Sequence, residues 1–280
     1  MRVKRASKYG FCAGVRVADL RARRFAEGGG RGAILGALVH NQRVVRELED
    51  LGLRTVESLD RAAGPTVIFS AHGVPPSAQH RARELGLEIL DTTCTFVVDI
   101  HDEVARAIDD GCHLVFVGDP GHREVVGYTH DLDPATYHIV SSMDDVRTVD
   151  WGRYPKIKII YQTTLNADDF EKVVQFIEET NPHAVRADTI CYATRENQDA
   201  VRELAADPEV DLVLVIGGRD SANTRHLWEI AAQSKPAHHV QGVEDVLPEW
   251  LEGVRCVGLT AGASTPDSLI DEVEAFLTQG

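Results

Sequence analysis

Three cysteines stand in similar surroundings along the chain, and their side chains could together bind a metal centre. Cys12 lies between Gly10 and Gly14, Cys94 follows two threonines, and Cys191 lies between an isoleucine and a tyrosine. Each follows a short predicted turn and precedes a predicted helix, and the start of a helix favours the thiolate form that binds metals. A single cysteine is more often a buried thiol, but three in matching positions favour one shared metal centre.

The spacing of these cysteines favours an iron–sulfur cluster over zinc. Structural zinc sites usually use closely spaced pairs such as C-x2-C, and the sequence contains no such pair. A cubane cluster normally takes four cysteines, so three would leave one iron able to bind a substrate. The other two cysteines, Cys112 and Cys256, lie at the starts of predicted strands, where we expect ordinary thiols outside the site.

Polar side chains occur at the ends of predicted strands in a repeated arrangement. Three histidines occupy equivalent ends, and two serines and an asparagine occupy the corresponding ends later in the chain: His40, His72, His122, Ser221, Asn223 and Ser264. The loops lead into helices, whose first backbone N–H groups favour anions. A single loop histidine is more often structural, but the matched set predicts a ring of donors for a phosphate-bearing ligand.

Glu124 and Thr163 could take part in chemistry at this ring. Glu124 lies two residues after His122, so a carboxyl facing the ligand could deliver a proton. Thr163 lies between Gln162 and Thr164 and could orient a substrate hydroxyl. Both residues also have ordinary interpretations, since Glu124 could be a solvated surface glutamate and Thr163 could cap the next helix.

The elements that must carry these residues alternate between strands and helices. Predicted strands cover residues 2–6, 33–39, 66–70, 87–90, 113–117, 157–161, 212–216 and 256–260. Helices follow most of them, and the last helix is predicted to begin at Pro266, because proline favours the first helical position. Such alternation predicts parallel sheets covered by helices, with ligands bound beyond the carboxyl ends of the strands.

The cysteines divide the chain into three repeats. The distance from Cys12 to His40 is 28 residues, the distance from Cys94 to His122 is also 28, and the third cysteine lies 30 residues before Ser221. The predicted fold is therefore α/β, a pseudo-threefold trefoil of three α/β domains with small parallel sheets around a central iron–sulfur cluster. We expect these domains at residues 11–92, 93–189 and 190–280, the last joined by an N-terminal strand within 1–10.

Composition limits the classes of partner. A net charge of −15 argues against nucleic acid or an anionic membrane surface. The sequence has no apolar run long enough for a transmembrane helix, and its basic N-terminus leads into no apolar signal segment. Five cysteines are an odd number, which favours metal or catalytic roles over disulfides. We therefore expect a cytoplasmic protein.

Seven short segments carry a resemblance to a known family. They are Gly10-Phe11-Cys12-Ala13-Gly14-Val15, Val39-His40-Asn41, Ser70-Ala71-His72-Gly73-Val74, Gly121-His122-x-Glu124-Val125, Gln162-Thr163-Thr164-Leu165, Ile190-Cys191-Tyr192-Ala193-Thr194 and Thr260-Ala261-Gly262-Ala263-Ser264. Together, and in this order, they resemble the LytB/IspH family, the 4-hydroxy-3-methylbut-2-enyl diphosphate reductases of the non-mevalonate isoprenoid pathway. The resemblance covers essentially the whole chain.

The resemblance implies a trefoil of three α/β domains around a [4Fe-4S] cluster. It implies cluster ligands at Cys12, Cys94 and Cys191, with Glu124 as the proton donor working beside Thr163. It also implies diphosphate donors at His40, His72, His122, Ser221, Asn223 and Ser264. Electrons would come from ferredoxin or flavodoxin, and loss of the allylic hydroxyl as water would give isopentenyl and dimethylallyl diphosphates.

Several positions depart from the residues usual in that family. They are Thr95 and Phe96 after the second cysteine, Arg123, Val126, Ala222 and the segment 194–198, which includes Asn197. These departures surround the expected substrate rather than the cysteines. They leave open an IspH-like paralogue that carries out cluster-dependent reductive dehydroxylation or dehydration of a different, anionic substrate. A non-enzymatic iron–sulfur sensor is a third reading, but it gives no reason to retain Glu124 and Thr163.

Overall fold

A computed structural model describes residues 1–279, apart from the side chain of residue 167. The strands of this part of the chain, β1 to β12, are Arg2–Arg5, Gly32–Leu35, Arg54–Val56, Thr66–Phe69, Glu88–Asp91, His113–Val117, Tyr137–Val140, Ile157–Tyr161, Ala184–Arg186, Leu212–Ile216, Ala237–Val240 and Cys256–Ala261. The α-helices, α1 to α10, are Ala13–Glu27, Gln42–Asp50, Pro76–Glu84, Thr95–Asp109, Arg123–Thr129, Met143–Arg147, Ala167–Thr180, Tyr192–Ala206, Ala222–Ala232 and Asp267–Gln279. Short 3-10 turns lie at Leu59–Arg61, Pro134–Thr136, Trp151–Arg153, Val243–Asp245 and Pro248–Leu251.

The strands form three parallel sheets of four strands each. Sheet A has the order β1-β12-β10-β11, sheet B has β5-β4-β2-β3, and sheet C has β9-β8-β6-β7. In each sheet, the strand named first lies at an edge and is the strand that precedes a cysteine of the predicted centre. The predicted α/β class with small parallel sheets is therefore confirmed.

The chain packs as two compact units. Among the described residues, the first contains 1–19, 39–50 and 192–279, and the second contains 20–38 and 51–191. Sheet A belongs to the first unit, and sheets B and C belong to the second. The division into domains at 11–92, 93–189 and 190–280 stays a prediction. Among residues 1–279, no helix is both long enough and apolar enough to span a membrane.

Sheet A is buried on both faces by helices. Val213 and Val215 of β10 pack on one face with apolar side chains of α8 and α9, while Leu212 and Leu214 pack on the other with those of α10. This alternation follows from the two-residue period of a strand. Because both faces are covered, β10 is an unbroken apolar run, as parallel strands usually are.

Sheet C has the same layered construction in the second unit. Val115 and Val117 of β6 pack towards α7, and Leu114 and Phe116 pack towards α4 and α5. Sheet B packs its Val67 and Phe69 against α3 on one face. The helices therefore hold the sheets in place by covering their faces. The loops at the carboxyl ends of the strands carry the polar residues.

The strand predicted at 33–39 and the helix predicted from Pro266 have other boundaries in the structure. The strand predicted at 33–39 ends at Leu35, because Gly36 adopts a left-handed φ of 67° that breaks the strand. His40 therefore lies in a loop five residues beyond the strand and not directly at its end. The last helix begins at Asp267, so Pro266 precedes its first residue.

Candidate functional site

Cys12 lies in the first unit, directly before α1. Its backbone N–H donates to the Ala263 carbonyl at 3.2 Å, in the loop that follows β12. The Val15 N–H donates to Cys12 Sγ at 3.5 Å, so the first turn of α1 favours negative charge on the sulfur. Gly10 lets this loop approach α10, because its φ of 70° is left-handed and a Cβ there would lie 3.0 Å from Ile270 Cδ1.

Cys94 and Cys191 are held in the same way in the second unit. Cys94 is the N-cap of α4, and its backbone N–H donates to the Ala71 carbonyl at 3.1 Å, in the loop after β4. Cys191 directly precedes α8, and its backbone N–H donates to the Thr163 carbonyl at 3.1 Å, in the loop after β8. All three cysteines thus begin a helix and are bonded to the loop at the carboxyl end of a strand, as their repeated surroundings predict.

The remaining cysteines lie at the opposite ends of the strands. Cys112 directly precedes β6 and Cys256 begins β12, so both are at amino ends. Neither forms a disulfide, and Cys256 is buried. The prediction that these two thiols stand apart from the polar strand ends is confirmed.

Glu124 and Thr163 form a buried pair in the second unit. The Thr163 hydroxyl donates to Glu124 Oε1 at 2.7 Å, and the Thr163 N–H donates to Glu124 Oε2 at 3.0 Å. Glu124 is only 4% exposed, which excludes its interpretation as a solvated surface residue. This burial raises the pKa of the Glu124 carboxyl, although the two hydrogen bonds from Thr163 favour the carboxylate and oppose the rise.

Thr163 connects this carboxyl to one of the cysteines. Its N–H and hydroxyl hold Glu124, while its carbonyl accepts the backbone N–H of Cys191. A buried carboxyl with a raised pKa and a predicted metal ligand therefore meet on a single residue. The structure thus brings together Glu124, Thr163 and Cys191.

His72 and His122 lie together in the same unit. Their ring centroids are 6.2 Å apart, with the rings nearly perpendicular at 88°. His122 is the N-cap of α5, and its Nδ1 accepts the Glu124 N–H at 3.3 Å. Because Nδ1 accepts, the neutral ring carries its proton on Nε2, which makes Nε2–H a donor. His72 follows β4, with Nδ1 3.4 Å from Ser70 Oγ.

The first unit brings together the other predicted anion donors. The Ser264 hydroxyl donates to the His40 carbonyl at 3.2 Å, and Ser221 caps α9 by accepting the Thr224 N–H at 3.2 Å. A Cβ at Gly218 would lie 2.4 Å from the His40 carbonyl oxygen. Only glycine therefore lets the loop after β10 approach the loop that carries His40.

Asn223 has a side chain without a hydrogen-bond partner in the described part of the chain. The residue is 4% exposed, and both its Nδ2 and its Oδ1 are buried and unpaired. A buried amide in this state costs about 1–3 kcal/mol, so its retention indicates a partner that is not part of the polypeptide. A polar ligand at the start of α9 would satisfy it.

The positions that depart from the family's usual residues have distinct surroundings. Ala222 is the buried first residue of α9, beside Asn223. The Arg123 guanidinium lies over Gly36, where a Cβ would be only 1.7 Å from Nη1, and it is 3.6 Å from a Glu57 carboxylate oxygen. Val126 is 41% exposed. The charge of Arg123 therefore faces the loop after β2 and the side chain of Glu57.

Sequence reasoning missed one residue beside the Glu124 pair. Tyr128 lies four residues after Glu124 on α5, is 4% exposed, and has a buried hydroxyl. The sequence could have indicated this residue, because Tyr128 lies four positions after Glu124 and residues four positions apart share one face of a helix. Burial of the hydroxyl could not be read from the sequence.

A family model and several curated proteins match nearly the whole chain. The family described as LytB protein matches residues 3–278. A 4-hydroxy-3-methylbut-2-enyl diphosphate reductase from Aquifex aeolicus is 35% identical, over 98% of this chain and 95% of that protein. One of the same name from Aromatoleum aromaticum is 39% identical, over 96% of this chain and 86% of that protein.

Two solved structures share the fold. The structure of the E-1-hydroxy-2-methyl-but-2-enyl-4-diphosphate reductase from Plasmodium falciparum superposes with a TM-score of 0.91 at 28% identity, covering 99% of this chain and 88% of that chain. The structure of an (E)-4-hydroxy-3-methyl-but-2-enyl diphosphate reductase has a TM-score of 0.72 at 33% identity and covers all of both chains. These chains are thus similar to this one along its whole length.

Proposed function

The chain belongs to the LytB family, and we propose that it is an iron–sulfur reductase that removes the allylic hydroxyl of 4-hydroxy-3-methylbut-2-enyl diphosphate. The reaction takes two electrons and two protons and breaks the allylic C–O bond. The products are water and isopentenyl or dimethylallyl diphosphate. Relatives of the same printed name match nearly the full length of the chain, which supports this reaction over the paralogue with another substrate.

The single observation that carries the proposal is the Glu124–Thr163–Cys191 connection. A reductive loss of hydroxyl needs a proton next to a source of electrons, since the departing oxygen leaves as water. Glu124 is buried with a raised pKa, and Thr163 bonds both to its carboxyl and to the backbone of Cys191. The proton donor and one ligand of the electron-carrying group are therefore proposed to be held by the same residue.

Cys12, Cys94 and Cys191 are the residues that would hold a [4Fe-4S] cluster. Their chemistry fits this group, because each is partly exposed at the start of a helix and tied by its backbone to a strand-end loop. Three thiolates are one fewer than a cubane cluster normally takes. When bound, the cluster would supply the electrons that the reduction needs.

The other polar residues are proposed to bind and orient the diphosphate. His122 offers its Nε2–H, and Asn223 offers a buried amide without a partner in residues 1–279. His40, His72, Ser221 and Ser264 are the remaining proposed donors. Glu124 holds the proton that reaches the leaving oxygen, while Thr163 keeps that carboxyl in place and orients the substrate hydroxyl.

Three finer points accompany this proposal. We propose ferredoxin or flavodoxin as the electron donor, since the reaction needs two electrons from outside the chain. We propose a cytoplasmic location from the cysteine usage. The three domains at 11–92, 93–189 and 190–280 are proposed from the repeat of the cysteines, each of which follows an edge strand.

Replacing single cysteines tests the proposal. We expect Cys94→Ser to lose iron and to lose turnover of 4-hydroxy-3-methylbut-2-enyl diphosphate in anaerobically reconstituted protein, because serine is a poor ligand for the cluster. The matched control is Cys112→Ser, which changes a thiol at the amino end of β6 and should keep both. Iron content and turnover at the wild-type level in Cys94→Ser would refute the ligand assignment.

A further inference from the structure

Tyr128 carries a buried hydroxyl that the polypeptide leaves unpaired. The residue is 4% exposed, and its hydroxyl has no hydrogen-bond partner in the described residues 1–279. Buried polar groups in native proteins are nearly always paired, and each exception calls for an explanation. An unmet donor at this place indicates an acceptor that becomes available when the site is occupied.

The position of Tyr128 limits which partner this can be. It stands one turn after Glu124 on α5, so the two side chains share a face of that helix. Its ring meets the ring of His101 edge to face, with centroids 4.8 Å apart. His101 lies on α4, which begins after Cys94, and Cys94 packs against the hydrophobic cluster that contains Tyr128. Tyr128 therefore lies near both the proposed proton donor and one predicted ligand.

The Tyr128 hydroxyl keeps its proton at neutral pH, as ordinary phenols do. Burial raises the pKa of Tyr128 well above its usual value, and negative charge on Glu124 and on Cys94 raises it further. A phenol in this state is a hydrogen-bond donor at any ordinary pH. Its natural partner is thus an anionic acceptor, and Glu124 and Cys94 are the two nearby candidates.

Of these two neighbours, Cys94 is the one whose side chain accepts no hydrogen bond in residues 1–279. Both oxygens of Glu124 already accept from Thr163. Cys94 is the N-cap of α4, yet its side chain makes no capping hydrogen bond. Its sulfur therefore retains its capacity to accept, and that capacity grows when the thiol becomes a thiolate.

On the basis of the proposed function, we propose that Tyr128 is a positioning residue whose O–H donates a hydrogen bond to the sulfur of Cys94 when that sulfur binds the cluster. Hydrogen bonds to cluster sulfurs are one of the means by which proteins set the reduction potential. Such a bond stabilises the reduced cluster more than the oxidised one, because the reduced cluster is more negative. Tyr128 would thus raise the potential at which the cluster accepts an electron.

The test is the reduction potential of the cluster in three proteins. The wild type, Tyr128→Phe and Tyr154→Phe are reconstituted anaerobically and titrated with a redox mediator, and the cluster is followed by its electron paramagnetic resonance. Tyr154 is the matched control, because its hydroxyl is also buried and unpaired within residues 1–279 while its ring stacks on His113 at 3.7 Å. We expect a lower potential in Tyr128→Phe and the wild-type potential in Tyr154→Phe.

The outcomes separate this inference from the proposed function. An unchanged potential in Tyr128→Phe, with the cluster fully loaded, overturns the role of Tyr128 and leaves the reductase proposal standing. A wild-type protein that binds no cluster overturns both. An equal shift in both variants also overturns the inference, since it would show a general effect of losing a buried hydroxyl.

A second substitution covers the case in which Tyr128→Phe folds poorly. Thermal unfolding of the cluster-free variants shows whether this happens. Site-specific 3-fluorotyrosine at position 128 keeps the shape of the side chain and makes its O–H a stronger donor. We expect the potential to rise in that protein, and a potential that stays at the wild-type value would overturn the inference.

Discussion

Thr163 makes hydrogen bonds to two different neighbours, Glu124 and Cys191. Its N–H and hydroxyl donate to Glu124, and its carbonyl accepts from Cys191. The two donated bonds favour the charged carboxylate, whereas burial favours the neutral acid, and burial has the larger effect because the pKa of Glu124 is raised. Glu124 thus keeps its proton to a higher pH than an exposed glutamate, which suits a proton donor.

The pH dependence of turnover follows from this balance. Under the proposed mechanism turnover needs protonated Glu124, so kcat/KM should fall as the pH rises through the pKa of that carboxyl. Thr163→Val removes one hydrogen bond that stabilises the carboxylate, so the pKa of Glu124 should rise. We expect the alkaline limb of the kcat/KM profile to move upward by about one pH unit.

The neighbouring threonine provides the control for this profile. The Thr164 hydroxyl accepts from Gln162 Nε2 at 2.7 Å and makes no bond to Glu124. Thr164→Val should therefore leave the alkaline limb in place. Movement of the limb to lower pH in Thr163→Val, or the same movement in both variants, would contradict the assigned roles.

At the scale of elements, the sequence predicted the central strands better than the edges. The strands predicted at 113–117, 157–161 and 212–216 are those observed as β6, β8 and β10, because they are apolar runs buried on both faces. The edge strands β7 and β11 were not predicted. Each contains histidine within its four residues, and each is held in place by its pairing with one neighbouring strand.

The candidate site was predictable to the extent that it rests on repeated local patterns. The cysteines each begin a helix, as their surroundings indicate. The hydroxyl of Tyr128 and the amide of Asn223 could not be identified as unpaired, because this depends on what other elements place around them. Likewise, the salt bridge between Arg123 and Glu57 joins residues that lie far apart in the sequence.

The loop before α1 yields a prediction about the element that holds Cys12. Gly10 has a left-handed φ of 70°, and a Cβ there would lie 3.0 Å from Ile270 Cδ1 and 3.3 Å from the Thr265 carbonyl oxygen. Gly10→Ala should lower the free energy of unfolding by about 1–3 kcal/mol. It should also reduce iron content, because the strained loop carries Cys12.

Gly29 is the matched control for this substitution. Its φ of 81° is also left-handed, but no atom lies within 4 Å of a Cβ built there. Gly29→Ala should lower the free energy of unfolding by about 1–2 kcal/mol, because alanine is strained in this backbone conformation. It should keep its full iron content. Denaturant unfolding of the cluster-free proteins and iron analysis of the reconstituted ones compare the two. Equal iron content in both variants would show that the loop at Gly10 does not position Cys12.

At the scale of the whole molecule, the charge of the protein opposes the charge of its proposed substrate. The chain has a net charge of −15, so its overall field does not attract a diphosphate. Under the proposed function, binding would rest on local donors, for which we propose residues such as His122 and Asn223. The same −15 charge disfavours nucleic acids, which bind through basic surfaces.

The most direct test of the reductase proposal is to identify what the reconstituted protein makes from 4-hydroxy-3-methylbut-2-enyl diphosphate. The protein is given this substrate and a chemical reductant without oxygen, and the products and the electrons consumed are measured together. We expect isopentenyl and dimethylallyl diphosphates, with about two electrons consumed for each substrate molecule, as the balance of the reaction requires. A protein with an intact cluster that leaves this diphosphate unchanged, or that reduces only another allylic alcohol, would contradict the account.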